Sequence, residues 1–100
     1  MALEIKWSKQ ADRTFDKIIE YLRKHWGDHV VMAFVRKTYD FLDVLADFPE
    51  IGSMQLKEKD VRGFVIIKQV IVFYKIKGNS VILLSFFDCR QNPERNIPEE

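Results

Sequence analysis

The chain has 100 residues, 47% hydrophobic, 13% aromatic and 31% charged, which excludes a disordered polymer and fits one domain over residues 1–100. Sixteen basic residues against fifteen acidic leave a net charge of +1, so no global field marks a nucleic-acid binder and any basic function must come from local placement. A lone cysteine, Cys89, excludes a disulfide framework or a multi-cysteine zinc site, and the charged opening MALEIKWSK without a long apolar run points to a soluble, cytoplasmic protein with no membrane partner.

Leu3, Ile5 and Trp7 alternate with Glu4, Lys6 and Ser8, the period of a strand with one buried face. From Ala11 the period changes. Ala11, Phe15, Ile18, Ile19, Leu22 and Trp26 recur at helical spacing, with Ser8 placed to cap the start and Gly27 to supply a left-handed residue at the end. Asp28 can cap a second helix at once, whose stripe is Val31, Phe34, Thr38, Phe41, Leu42 and Leu45 and which Pro49 stops. So short a connection makes a helical hairpin.

Residues 51–60 (IGSMQLKEKD) read as a polar connection. Between Val61 and Phe87 nearly every residue is β-branched, aromatic or leucine, the signature of consecutive strands. Gly78-Asn79 is a two-residue hairpin signal, and Lys68-Gln69 is the only polar break that can supply the earlier turn. The expected fold is α+β, in the order β-α-α-β-β-β, with the helix hairpin on one face of a mainly antiparallel sheet. Strict alternation puts Ile71, Phe73, Leu84 and Phe86 on one set of positions and Val72, Tyr74, Leu83 and Phe87 on the other. Both faces are therefore apolar. One can pack on the helices, the other needs a cover, and the polar, proline-rich QNPERNIPEE is ill suited to supply it.

This order of elements, with the runs IIEYLRKHWG, FLDVLADFPEIG, VRGF, FYKI and FFDCRQNP, resembles the RelE/ParE superfamily of bacterial toxins over nearly the whole chain. The resemblance implies an intracellular growth inhibitor neutralised by a cognate antitoxin, without a cofactor. It implies one of two targets: messenger RNA cleaved in the ribosomal A site, which is the leading expectation, or DNA gyrase as the alternative. The nuclease branch carries basic residues before and within the first sheet strand, an arginine near the last strand and often a tyrosine or histidine near the C-terminus. Lys57, Lys59, Arg62 and Arg90 match the basic set, but no tyrosine or histidine follows Arg90. A toxin-derived relic that only binds an antitoxin is the third possibility.

Cleavage by the RNA's own 2′-hydroxyl needs a base, cations for the phosphorane charge and an acid for the leaving oxygen. Arg62 and Arg90 suit the cationic role because a guanidinium grips phosphate at two points. Alternatively Arg62 pairs with Asp60 or Asp88 and closes the sheet edge. Lys57 or Lys59 can serve as the base only if crowding by cations lowers its pKa, and otherwise LKEKD is solvated surface. His25 and His29 have metal-ligand spacing, but Gly27-Asp28 between them ends the helix, so both read as surface or packing residues and no metal is expected. Tyr74 reads as buried with a satisfied hydroxyl, and Cys89 as a small buried residue.

Overall fold

In the computed structural model, which describes residues 2–89, strand β1 (Glu4–Trp7) leads directly into helix α1 (Lys9–Trp26), followed by helix α2 (Asp28–Asp47). Arg90 and QNPERNIPEE lie outside the described residues. Ser8 caps α1 as its sequence position implies, its hydroxyl accepting from the Ala11 N–H at 3.0 Å. Gly27 joins the helices at φ 95° and ψ 174°. The φ is positive as expected, but ψ is extended rather than left-handed helical, a region essentially closed to other residues. That sharp turn makes Gly27, not Asp28, the cap of α2, and the Asp28 carboxylate instead accepts from Arg23 Nε at 3.1 Å.

The remaining chain forms β2 (Ser53–Leu56), a 3₁₀ turn (Lys57–Lys59), β3 (Val61–Ile67), β4 (Val70–Lys77) and β5 (Ser80–Asp88). The helix hairpin and the mainly antiparallel sheet are as the sequence predicts. Both predicted turns, at Lys68-Gln69 and Gly78-Asn79, are present, with Gly78 at φ 60°. The connection over residues 51–60 needs correction, because its Ser53–Leu56 segment pairs with β3 as a fifth, edge strand. Ser53 and Met54 are exposed and Gln55 and Leu56 half-buried, so it lacks the apolar alternation by which strands are recognised. The sheet order is β1-β5-β4-β3-β2, and β1 runs parallel to β5.

A register shift in β5 corrects the predicted faces. Val72 pairs with Phe86 and Phe73 with Ser85, but Tyr74 pairs with Leu83, leaving Leu84 as the extra residue of a bulge. The alternation slips by one there. Phe86 consequently joins Val70, Val72, Tyr74, Val81 and Leu83 in the core beneath the helices, while Phe87 joins Ile71, Phe73 and Leu84 on the opposite side. Both helix stripes face the core as predicted, except that Trp26 is 51% exposed. The second face is less open than its composition suggests: Ile71, Phe73 and Leu84 are only 6%, 0% and 2% exposed, with Leu56, Ile82 and Phe87 packed around them. Cys89, at its margin, is half-buried rather than buried.

A bulge strands backbone polar groups, and two side chains from the start of α1 satisfy them here. The Ser8 hydroxyl donates to the Leu84 carbonyl at 2.9 Å, and Thr14 Oγ1 accepts from the Phe86 N–H at 2.9 Å. Trp7, Phe15 and Phe86 close over this seam, Phe15 lying 5.2 Å from Trp7 and 4.9 Å from Phe86 between ring centroids. Thr14→Val, nearly isosteric, is expected to cost about 1–3 kcal/mol by leaving the Phe86 N–H unpaired. Chemical denaturation of the two proteins checks it, and equal midpoints with equal slopes would mean that the bulge does not depend on Thr14.

Candidate functional site

The chain following α2 is held against the sheet by two side chains that face each other across β3 and β4, Arg62 and Tyr74. Tyr74, fully buried, donates its hydroxyl to the Pro49 carbonyl at 2.8 Å and accepts from the Gly52 N–H at 2.8 Å. Arg62 Nη1 donates to the Gly52 carbonyl at 3.0 Å and the Glu50 carbonyl at 3.3 Å. Together they clasp residues 49–52. Burial raises the Tyr74 pKa, and its bond from Gly52 and the Arg62 charge only partly offset that rise.

Gly52 is required by the close approach. A Cβ there would come within 2.6 Å of the Tyr74 hydroxyl and 2.9 Å of the Gly63 carbonyl. Sequence reasoning missed Gly52 and Pro49 as functional parts of this arrangement, although the pattern of a helix stop followed by glycine ahead of a strand was present in DFPEIG. It anticipated Tyr74 as a satisfied core tyrosine, and that reading holds.

The clasp gives Arg62 a structural engagement other than the carboxylate pair that was the alternative to phosphate binding: it binds backbone carbonyls, while its Nε is buried with no hydrogen-bond partner. Lys57 and Lys59 lie exposed on the 3₁₀ turn. Since Leu56 pairs with Val61, the turn and the start of β3 share one end of the sheet, so Lys57, Lys59 and Arg62 are neighbours in the fold. The end of β5 is elsewhere. Asp88 pairs with Val70, four residues along β4 from the Arg62 partner Tyr74, a separation of about 13 Å at about 3.3 Å per residue. Arg90 itself lies outside the described residues. His25 and His29 sit on different helices, as the glycine between them implied, and no group of three or more potential metal ligands occurs among the described residues. No described helix is long and apolar enough to cross a membrane.

Around the clasp the surface is apolar. Val44 and Phe48, at the end of α2, and Ile51, Met54 and Val65 beyond it are each at least 40% exposed. Residues 47–51 line a groove of about 540 Å³. A second, of about 400 Å³, is lined by Ile51, Val65 and Ile71 together with the polar Ser53 and Gln55, the Gln55 side chain lying against Gly63.

Comparison with known proteins places this fold. Among solved structures, the chain is similar to the chromosomal ParDE toxin–antitoxin system of P. aeruginosa, with TM-score 0.72 at 16% identity, covering 87% of this chain and 96% of that one. It is also similar to a mutant E. coli toxin RelE in the free state, TM-score 0.60 at 15% identity over 93% and 90% of the two chains. The E. coli DinJ-YafQ toxin–antitoxin complex matches with TM-score 0.61 at 13% identity, over 92% and 98%. At such identities the likeness is one of fold. No curated protein sequence matches the chain. The family model for the ParE toxin of the type II toxin–antitoxin system parDE matches residues 5–93. This chain belongs to the ParE toxin family of type II toxin–antitoxin systems.

Proposed function

We propose that this toxin arrests growth by binding its target rather than by cutting RNA, with DNA gyrase as that target, and that a cognate antitoxin neutralises it. The observation that carries this reading is the clasp. Tyr74, the sheet residue best suited by chemistry to deliver a proton, is engaged through its hydroxyl, and Arg62, the one best suited to grip phosphate, through its Nη1, by the backbone of residues 49–52. A binding inhibitor needs neither an acid nor a base. It needs a rigid surface of fixed shape, which the clasped loop and its apolar surroundings supply.

A second reading, ribosome-dependent RNA cleavage, is favoured by the gathering of Lys57, Lys59 and Arg62 at one end of the sheet. In that reading Arg62 and Arg90 would bind phosphate and Lys57 or Lys59 would act as base. Inducing the toxin with and without the protein of the adjacent reading frame, while following growth, RNA 5′ ends and plasmid supercoiling, separates the two. Arrest relieved by the neighbour, altered supercoiling and unchanged RNA ends are expected. New RNA ends within codons would instead establish the nuclease, and Arg62→Ala should then slow cleavage by about 100-fold or more. Normal growth with soluble, folded toxin would refute both mechanisms and leave the relic.

A further inference from the structure

We infer that the clasped loop and the end of α2 form the docking surface for a basic, apolar segment of the neutralising antitoxin, an assignment that rests on the antitoxin reading above. Phe48 is 66% exposed and Ile51 45%, and Val44 lies one helical turn before Phe48. Ile51 lines both grooves, so the surface at the end of α2 continues into the second, where Ile51, Val65 and Ile71 are joined by Ser53 and Gln55. A surface of linked apolar residues costs solubility unless something covers it.

Two features say what covers it. First, the loop is rigid. Four hydrogen bonds from two sheet side chains fix residues 49–52, so the entropy of ordering the contact surface is already spent before a partner arrives. Second, its border is acidic. Asp43, Asp47 and Glu50 are exposed beside Val44, Phe48 and Ile51, and none of the three forms an ion pair with another described residue. The complementary ligand therefore presents apolar side chains flanked by lysine or arginine. A basic segment of that kind gains from charge attraction at encounter and from apolar burial at contact.

The test uses the full-length toxin and the full-length protein of the adjacent reading frame as probe. Calorimetric affinities are compared for wild type, Asp47→Lys/Glu50→Lys and Phe48→Ser/Ile51→Ser, each with thermal unfolding. Wild-type affinity is expected to fall with added salt, the charge reversal to weaken binding by at least about tenfold, and the apolar double variant by about thirtyfold or more. The charge-reversed side chains are exposed, so that variant decides the matter if the apolar one misfolds. Unchanged affinity in folded Asp47→Lys/Glu50→Lys overturns the assignment. So does a loss of toxicity with antitoxin binding intact, which would give this surface to the cellular target. If the wild-type toxin fails to bind the neighbouring protein at all, the antitoxin reading itself falls first.

Discussion

Gly52→Ala is expected to destabilise the protein by about 3 kcal/mol, at the upper end for overpacking a tight site, and so to lower its melting temperature by about 12–24 °C. The added methyl would meet the Tyr74 hydroxyl at 2.6 Å and the Gly63 carbonyl at 2.9 Å. A flexible surface chain would step aside, but Tyr74 is fully buried and the Gly63 carbonyl belongs to a strand paired on both edges. Relief must therefore come from residues 49–52, at the expense of the clasp. Tyr74→Phe keeps the packing and leaves the Gly52 N–H and the Pro49 carbonyl without their partner, at about 1–3 kcal/mol for each group that water cannot reach. It also changes the alkaline limb. Because burial raises the folded-state pKa of Tyr74 above its unfolded value, its neutral form contributes stability that is fully present below about pH 10 and is lost as pH rises through the folded value. Tyr74→Phe should flatten that decline. Thermal melts from pH 8 to 11 check both statements, and a Gly52→Ala protein melting with the wild type would show that the loop has room to yield.

Phe34→Ala is expected to be costlier still, about 3–5 kcal/mol, out of a total stability of about 5–15 kcal/mol for a domain of this kind. Phe34 is 1% exposed on the buried stripe of α2, and its ring lies 5.3 Å from that of Phe15 on α1. Phe15 in turn meets Trp7 and Phe86, so one ring on α2 supports the aromatic seam that joins α1, β1 and β5. Denaturant unfolding measures the loss. A cost below about 1 kcal/mol would mean that the helices close over the vacated space, against the usual stiffness of packed cores.

The helices were legible because their burial is periodic, every residue of the predicted α2 stripe being buried, and the three long strands because β-branched, aromatic and leucine residues run almost unbroken between two turn signals. The strand β2 was not, since an edge strand held by backbone bonds imposes little on its side chains. The phase of β5 escaped for a different reason. Leu83, Leu84, Phe86 and Phe87 are all apolar, so a slip of one residue leaves no trace in hydropathy, and only pairing distinguishes Phe86 from Phe87. In the candidate site, Arg62 and Tyr74 were recognisable as notable residues on neighbouring strands. Their shared target was not, because a hydrogen bond to a carbonyl of Pro49, Glu50 or Gly52 is indifferent to the side chain it lands beside.

The pairing of the first strand with the last bears on how the toxin is made. β5 lies between β1 and β4, so Glu4 finds its place only against Ser80 and its neighbours. During synthesis, the helix hairpin has no complete floor to rest on until β5, the last of the described strands, has emerged. Contacts so distant in sequence also close slowly, because the chain loses loop entropy before they reward it. A chain without β5 leaves β1 unpaired and the floor beneath the helix hairpin open, so folding of this sheet waits on the emergence of β5.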